Sequence, residues 1–240
     1  MISDHSTIEQ CEVSIVLPVY NEFLILEKNV AQVDQAVRAV TSSYEIVIVE
    51  DGSTDDSDRI ASSLSQKNSR IIHLHSDTRL GKGGALKSAF KKCRGDVVLF
   101  MDIDLATNLR HIDEFIKLID EGNDAIVGSR ARRGAKVHRP LVRKIASHGY
   151  NLLVNILFYD RVYDHQCGFK AFRRTVLASV IDEVDDNGFF FDTELLVRVR
   201  RKGYRIVECP IEWVEPRVSY VHEDPITLFF KLIVLRFQLL

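Results

Sequence analysis

The chain has 240 residues, of which 32 are Lys or Arg and 34 are Asp or Glu, so its formal net charge is -2. With 46% hydrophobic and 28% charged residues it has the material for a sizeable core, which excludes a disordered, collagen-like or low-complexity chain. The near-neutral total also argues against a generic DNA-coating protein. The charge is nevertheless sorted: residues 1–120 hold 13 basic and 19 acidic side chains, whereas residues 121–240 hold 19 and 15.

The four cysteines and the N-terminal residues indicate a protein of a reducing compartment. Cys11, Cys93, Cys167 and Cys209 form no CxxC pair and no zinc-type spacing. The first residues, MISDHSTIEQCE, are polar and acidic, unlike a secretory signal. The longest apolar stretches, 150–159 and the charge-interrupted 226–240, are shorter than the roughly 20 residues of a membrane span. We therefore expect neither export nor a transmembrane helix.

Between residues 13 and 129, short β-branched runs alternate with helix-length amphipathic runs. Near-continuous apolar strands separated by helices are typical of βαβ units, so the pattern predicts an α/β fold with an open, doubly wound, mostly parallel sheet. The predicted strands are 13–19, 45–50, 70–76, 96–102 and 124–129. Between these strands we expect helices near 55–66 and 85–93. After them we expect helices near 141–159 and 191–202, a strand near 205–209, and an apolar tail.

The ends of these strands carry the chemistry of the chain. In open α/β sheets ligands bind outside the carboxyl ends of the strands. There the sequence reads PVYNE from Pro18, EDGSTDD from Glu50, DTRLGKGG from Asp77, DID from Asp102 and GSR from Gly128. Polar, acidic and glycine-rich residues thus gather on one predicted edge.

The sharpest motif is Asp102-Ile103-Asp104 after an apolar strand. Two carboxylates at i and i+2 of a strand point the same way and can hold one divalent cation, and Mg²⁺ or Mn²⁺ favours such oxygen ligands. The alternative without a ligand is that one aspartate caps the following helix and the other is a solvated surface charge. In this α/β context the metal site is the favoured interpretation.

Two loops at the same end of the predicted sheet could bind a ligand. Residues 50–58 do not fit a calcium loop, since positions 6 and 12 counted from Asp51 hold Asp56 and Ser62. Ser53, Thr54 or Asp55 can instead cap the next helix, while Asp51 at the strand tip could accept hydrogen bonds from a base or ribose. The loop that begins at Gly81 matches neither a P-loop nor a dinucleotide fingerprint, but its glycines and helix N-terminus favour an anion.

Two segments of the second half suggest contact with phosphates or lipid. Residues 130–144 hold seven basic side chains and no acidic one, which suits phosphate or an anionic membrane surface. Without an aromatic platform or recognition motif, nucleic acid ranks well below these partners. The tail PITLFFKLIVLRFQLL is typical of a helix lying on a bilayer, with a core or oligomer-interface helix as the alternative.

Taken together, the motifs resemble glycosyltransferase family 2, which has the GT-A fold. Within the family the resemblance is strongest to enzymes that use dolichyl phosphate, the glucosyltransferases first and the mannose synthases next. It extends from Val13 to Glu215 in the order VSIVLPVYNE, VEDGSTDDS, LGKGGALKSAF, MDIDLAT, GSRARR, DHQCGFKAFRR, FDTELL and IEWVE.

The resemblance implies an enzyme on the cytoplasmic face of a membrane, bound peripherally. It would transfer a hexose with inversion from UDP-glucose or GDP-mannose to dolichyl or polyprenyl phosphate, using Mg²⁺ or Mn²⁺. One GT-A domain would span residues 1–224, with a donor and metal half at about 13–129 and an acceptor and membrane half at about 130–224. Residues 225–240 would form the interfacial tail.

The resemblance also implies roles for individual residues. The metal ligands would be Asp102 and Asp104. Arg130, Arg143 and Arg217 would contact donor or acceptor phosphate, and Asp164, Gln166, Asp192 and Glu194 would lie in the acceptor and sugar region. The donor would be held by Pro18, Tyr20, Asn21, Glu22, Asp51, Gly81 and Lys82 together with Asp102.

Two departures from the family pattern concern the metal and the acceptor. The mannose synthases carry Gln where this chain has Ala106, so a third metal ligand must come from water or another group. The loop after Trp213 keeps Arg217 but lacks the Gly-Ser-Lys-like sequence of the glucosyl members. One rival is a family member acting on a carbohydrate hydroxyl with Asp164 or Asp192 as base, and another is a non-catalytic nucleotide-sugar binding protein.

Overall fold

The computed structural model describes residues 11–214 and 224–239. Its strands are β1 (Val13–Val19), β2 (Tyr44–Glu50), β3 (Ile71–His75), β4 (Val97–Met101), β5 (Ala125–Ser129), β6 (Lys136–His138), β7 (Phe169–Arg173), β8 (Ile206–Pro210) and β9 (Glu212–Val214). Its helices are α1 (Leu26–Arg38), α2 (Ser57–Lys67), α3 (Lys82–Phe90), α4 (His111–Asp120), α5 (Leu141–Phe158), α6 (Arg174–Val180), α7 (Phe191–Arg201) and α8 (Pro225–Gln238), with a 3₁₀ turn at Ile181–Glu183.

Seven strands form one twisted central sheet in the order β3-β2-β1-β4-β7-β5-β8. Strands β3, β2, β1 and β4 run parallel to one another, and β5 runs parallel to β8. The sheet is therefore mostly parallel, and the predicted α/β class is confirmed. The five strands predicted before residue 130 all form, within one residue of the expected bounds at each end.

Strand β7 was not predicted. It lies between β4 and β5 and runs antiparallel to both, with Leu99 and Ile126 each opposite Ala171. The sequence FKAFR is short and carries a lysine at its second position, so it lacks the long apolar run of the other central strands. Its position in the sheet brings the QCGFK motif directly beside the DxD motif.

The sheet is covered on both faces because side chains alternate along each strand. On β1, Ile15 and Leu17 pack with the apolar faces of α1 and α4, whereas Val16 packs with α3 and α7 on the other face. Helix α1 presents its buried Leu26, Val30, Val33 and Val37 at helical spacing, which gives it one apolar stripe toward the sheet.

Helices α5 and α8 form a third, smaller apolar cluster. Val154 and Phe158 of α5 pack with Leu232 and Leu235 of α8, against Phe190 and Val197. The amphipathic C-terminal helices expected from the sequence are thus present. Among the described residues, no helix is both long and apolar enough to cross a bilayer.

Candidate functional site

The loops after β1 and β2 are tied to each other at the carboxyl edge of the sheet. Asn21 has a positive φ of 56°, its amide donates to Ser53 Oγ at 3.0 Å, and its side-chain oxygen accepts from Thr54 N at 2.8 Å. The expectation that Ser53, Thr54 or Asp55 caps the next helix is wrong, because α2 begins at Ser57 with Asp56 as its N-cap. Asp55 nevertheless accepts a hydrogen bond from the amide of Ser57 at 3.1 Å. Asn21 therefore shapes the edge by joining two loops.

Asp51 connects the end of β2 to the loop before α3. Its two carboxylate oxygens accept hydrogen bonds from Leu80 N at 2.6 Å and Gly81 N at 3.0 Å. Burial raises the pKa of Asp51, although these amides act in the opposite direction. The carboxylate expected to meet the nucleoside thus also fixes the loop beside it.

The glycine loop packs against protein. The amides of Gly83 and Gly84 both donate to the carbonyl of Asn187, at 2.8 and 3.2 Å. A Cβ on Gly81, whose φ is +84°, would lie 2.4 Å from the same carbonyl oxygen. The expectation that this helix N-terminus is open to an anion is wrong for these two amides. Helix α3 also begins at Lys82, three residues before the expected start.

Tyr20 and Pro18 lie at the end of β1. The guanidinium carbon of the exposed Arg79 lies 3.7 Å from the centre of the Tyr20 ring, a close cation–π contact. Pro18 is the next-to-last residue of the strand and is paired in register with Val49. The pair is partly exposed and lies beside the loop that Asp51 fixes.

Three carboxylates repel one another at the ends of β1 and β4. Burial, and then the charges of Asp104, Asp55 and Asp102, raise the pKa of Glu22 to about 7. Burial, and then Asp102, raise the pKa of Asp104 to about 6. Such shifts mean that added positive charge would be strongly favoured here. Carboxylate oxygens are the ligands that Mg²⁺ and Mn²⁺ favour, so the chemistry of Asp102 and Asp104 fits the expected cation.

Gly168 makes room beside Asp102. A Cβ on Gly168 would lie 1.8 Å from Asp102 Oδ2, closer than any real contact. The amide of Asp102 donates to the Gly168 carbonyl at 3.0 Å, which fixes the two segments at this distance. Only glycine therefore leaves the Asp102 carboxylate in its present position.

A row of alternating charges leads from Asp102 into the core. Lys82 Nζ lies 2.8 Å from Asp102 Oδ1 and 3.4 Å from Asp192 Oδ2. Asp192 also pairs with Lys170, which is fully buried and donates to the carbonyl of Cys167 at 2.5 Å. Burial alone would lower the pKa of Lys82, but Asp102 and Asp192 outweigh it and raise that pKa.

Arg130 and Asp164 form a second buried pair. Arg130 donates from Nε and Nη2 to the two carboxylate oxygens, at 2.8 and 2.7 Å, and its amide adds a third bond of 2.8 Å. Burial opposes ionisation of Asp164, but the guanidinium outweighs it and lowers the pKa of Asp164. The guanidinium carbons of Arg130 and Arg139 lie 5.3 and 5.7 Å from the centre of the Trp213 ring.

Trp213 links this basic cluster to the DxD segment. It forms an isolated bridge with Thr107, and the amide of Val214 donates to the Ala106 carbonyl at 2.9 Å. Trp213 and Gly168 both line the small cavity next to Asp102 and Asp104. The indole of Trp213 therefore lies between the arginines and the acidic residues that follow β4.

The other predicted residues lie further out or are engaged elsewhere. Arg143 is half-buried on the first turn of α5. Glu194 accepts from the amides of Asp185 and Asp186 and pairs with Arg198, so it holds the segment that covers the glycine loop. Arg217 lies outside the described residues.

Four residues of this site were not predicted from the sequence. Gly168 and Lys170 belong to the QCGFK motif and Trp213 to IEWVE, so both motifs could have indicated them. Arg139 lies in the basic run but has no motif of its own. Their contacts depend on β7 and β9, neither of which was predicted.

A mostly parallel sheet with paired acidic residues after β4 and a basic, aromatic wall beside them is the arrangement of the GT-A fold. The chain belongs to glycosyltransferase family 2: the model of that family, described as Glycosyl transferase family 2, matches residues 14–181. The match covers β1 to β7 and so includes the acidic cluster and the QCGFK motif.

Curated relatives share a large part of the chain. Glycosyltransferase AglD of Haloferax volcanii is 42% identical over 209 residues, 86% of this chain and 33% of AglD. A dolichyl-phosphate beta-glucosyltransferase of Trichomonas vaginalis is 33% identical over 218 residues, covering 86% of this chain and 67% of the relative. The enzyme of that name from Saccharomyces cerevisiae is 29% identical over 237 residues, 89% and 70%. The chain thus spans one third of AglD and about two thirds of the others.

Solved structures share the fold at low identity. Glucosyl-3-phosphoglycerate synthase from Mycobacterium tuberculosis, in complex with Mn²⁺, UDP and glucosyl-3-phosphoglycerate, has a TM-score of 0.62 at 21% identity, covering 95% of this chain and 77% of that one. The same protein with Mn²⁺, UDP-glucose and phosphoglyceric acid has a TM-score of 0.67 at 18% identity, covering 95% and 79%.

Proposed function

We propose that the chain transfers glucose, with inversion, from UDP-glucose to a polyprenyl phosphate of the dolichyl type. The observation that carries the donor side is the partly buried acidic cluster of Glu22, Asp102 and Asp104. Burial and then neighbouring negative charges raise the pKa of Glu22 and of Asp104, and a divalent cation would offset this charge and bridge it to the donor diphosphate. Relatives named dolichyl-phosphate beta-glucosyltransferase favour glucose and the lipid phosphate.

On the donor side, each element of the edge has a task in this proposal. Asp102 and Asp104 would hold Mg²⁺ or Mn²⁺, which when bound stabilises the negative charge of the leaving diphosphate. Asp51 and the Tyr20–Arg79 stack would receive the nucleoside, while Pro18 and Asn21 shape the strand end. Lys82 and Gly81 would also contact the donor. The ammonium group of Lys82 lies 2.8 Å from Asp102 Oδ1, and its ion pair with Asp192 holds it in this position.

On the acceptor side, the structure favours a phosphate over a sugar hydroxyl. A hydroxyl nucleophile needs a general base, and Asp164 and Asp192 were the two candidates. Both are buried in ion pairs that lower their pKa, which makes them weak bases. A phosphate monoester has a second pKa near 6 and is mostly dianionic at neutral pH, so it can attack without a base.

Basic side chains would hold the acceptor phosphate near the sugar. Arg130 and Arg139 lie on the Trp213 ring beside the acidic cluster, and Arg143 follows on α5. The Arg130–Asp164 fork fixes the plane of one guanidinium, so it is positioned before substrate arrives. Arg217 remains a candidate on the strength of the family pattern alone.

We also propose that α5 and α8 lie on a membrane surface. Near the N-terminus of α5, Leu141, Val142 and Ile145 are 71, 78 and 65% exposed. On α8, Phe230 and Phe237 are 61 and 71% exposed although the same helix packs inward on α5. Apolar residues exposed on two packed helices beside a basic segment suit an interface with anionic lipid. The site would then face the membrane surface, on the cytoplasmic side that the resemblance implies.

A turnover panel tests the proposal. The chain is assayed with UDP-glucose and with GDP-mannose, in Mg²⁺, Mn²⁺ or chelator, using a short polyprenyl phosphate and the matching polyprenol. We expect glucose transfer that requires both the metal and the acceptor phosphate. Transfer to the polyprenol or to a soluble sugar at equal rate would contradict the acceptor assignment, and binding of donor without any turnover would favour a sensor.

Flotation with vesicles tests the membrane face separately. The wild-type chain should float with vesicles that contain anionic lipid, and Phe230→Glu together with Phe237→Glu should reduce the bound fraction because charge is costly at an apolar interface. Val234→Thr, at a 56% exposed position of the same helix, is the milder control. Equal flotation of all three proteins would contradict the role given to α8.

A further inference from the structure

A cluster of two histidines and two carboxylates lies beside β3, the outermost strand on the side of the sheet away from β4 and its DxD motif. Its members are Glu50, Asp58, His73 and His75, and one potential ligand atom from each lies within 4.8 Å of all the others. Three elements supply them: Glu50 is the last residue of β2, the histidines are on β3, and Asp58 is in the first turn of α2. We propose that this cluster binds Zn²⁺.

The backbone brings these side chains together on one face. His73 and His75 are two residues apart on a strand, so both point the same way. Glu50 is paired in register with His75 across the parallel β2–β3 ladder. Asp58 then approaches from α2 above the sheet. The arrangement is therefore fixed by regular secondary structure, as a preformed metal site requires.

The distances suit a tetrahedral ion. A Zn²⁺ with bonds of about 2.0–2.1 Å keeps its ligand atoms about 3.3 Å apart. Here Asp58 Oδ1 lies 3.3 Å from His73 Nε2 and 3.1 Å from His75 Nδ1. Glu50 Oε2 lies 2.6 Å from His75 Nδ1, so this pair needs to open by about 0.7 Å to admit the ion.

Two further observations point to a cation. His73 Nε2 is shielded from solvent and makes no hydrogen bond within the described part of the chain, although it faces Asp58. Such an orphaned nitrogen is a natural ligand. His75 carries its other nitrogen 3.2 Å from Asp77 Oδ1, the carboxylate–histidine arrangement that orients zinc ligands.

The charges also balance. Glu50 is completely buried, where it accepts a hydrogen bond from the Ser53 amide and faces His75. A buried carboxylate is stabilised further when a full positive charge lies beside it. Two neutral histidines and two carboxylates around one Zn²⁺ give a neutral site. The ion would join the ends of β2 and β3 to α2, and so brace the start of the loop that carries Arg79 and is fixed by Asp51.

Zinc titration of the full chain tests this inference. The protein is freed of metal with a chelator, and Zn²⁺ binding is measured in competition with a chromophoric chelator, without nucleotide or sugar. We expect one tight site per chain that survives in Asp104→Asn. Asp58→Asn and His75→Gln should each weaken it more than about tenfold, because each removes a ligand. His138→Gln, at an exposed histidine of β6, should leave it unchanged.

Co²⁺ provides a second readout that separates the two metal positions. Tetrahedral Co²⁺ at the histidine cluster should give intense visible absorption, whereas an oxygen-rich octahedral site gives weak bands. Asp58 and His75 are 45 and 40% exposed, so their variants leave the core intact, which circular dichroism can verify. Unchanged zinc affinity in both variants would overturn the inference and leave an ordinary histidine–carboxylate hydrogen-bond cluster. Loss of the tight site in Asp104→Asn would overturn it as well.

Discussion

The buried pair of Lys170 and Asp192 predicts a large loss of stability when one charge is removed. Lys170 is 0% and Asp192 is 3% exposed, and Asp192 also contacts Lys82. In Asp192→Asn the ammonium group of Lys170 keeps the Cys167 carbonyl but no carboxylate partner. Breaking a buried ion pair in this way costs about 3–5 kcal/mol, because a charge is left without compensation.

Urea denaturation measures this cost. With a slope of about 3 kcal/mol per molar urea, a loss of 3 kcal/mol lowers the unfolding midpoint by about 1 M. Asp113→Asn is the matched control: its pair with Lys117 is exposed and should contribute only about 0.3–0.5 kcal/mol. The double variant Lys170→Met with Asp192→Asn should recover part of the loss. A midpoint shift in Asp192→Asn no larger than that of the control would refute the reasoning.

Three further predictions concern the acidic cluster. Asp104→Asn should abolish metal-dependent transfer while the urea midpoint stays near that of the wild type; full activity would contradict the metal assignment. Mn²⁺ affinity should rise between about pH 5.5 and 7.5, since the raised pKa values of Asp104 (about 6) and Glu22 (about 7) keep these groups protonated at the acidic end. Calorimetry at several pH values checks this, and Glu22→Gln should flatten the upper part of the curve. Gly168→Ala should weaken Mn²⁺ binding by displacing Asp102, and an unchanged affinity would mean that the carboxylate moves freely.

The sequence was a good guide wherever local pattern decides structure. The strand VSIVLPV forms over Val13–Val19 as predicted, because an uninterrupted β-branched run suits a strand buried on both faces. The acidic residues after β4 lie at the expected edge for the same reason. The helix of the basic half begins at Leu141 and ends at Phe158, one residue short of the expected bound.

Contacts between distant segments could not be predicted in this way. A lysine is rarely buried unless it is paired, so the sequence alone places Lys170 on the surface. Its ion pair with Asp192 on α7 explains why it is buried. The Arg130–Asp164 pair joins residues 34 apart, so an arginine expected to contact phosphate is also held by protein. No periodicity encodes such pairs. The same holds for Asn187, whose carbonyl occupies the amides that the glycine loop was expected to offer.

The position of β7 has a consequence for how the protein is made. A ribosome releases β1 to β4 first, and these strands can pair as β3-β2-β1-β4. The outer side of β4 then stays unpaired until Phe169–Arg173 emerges, after β5 and α5 have already been synthesised. An open apolar edge strand is a template for wrong pairing. Nascent chains stopped before Phe169 should therefore be prone to aggregation, and the arrival of β7 both closes that edge and sets Gly168 beside Asp102.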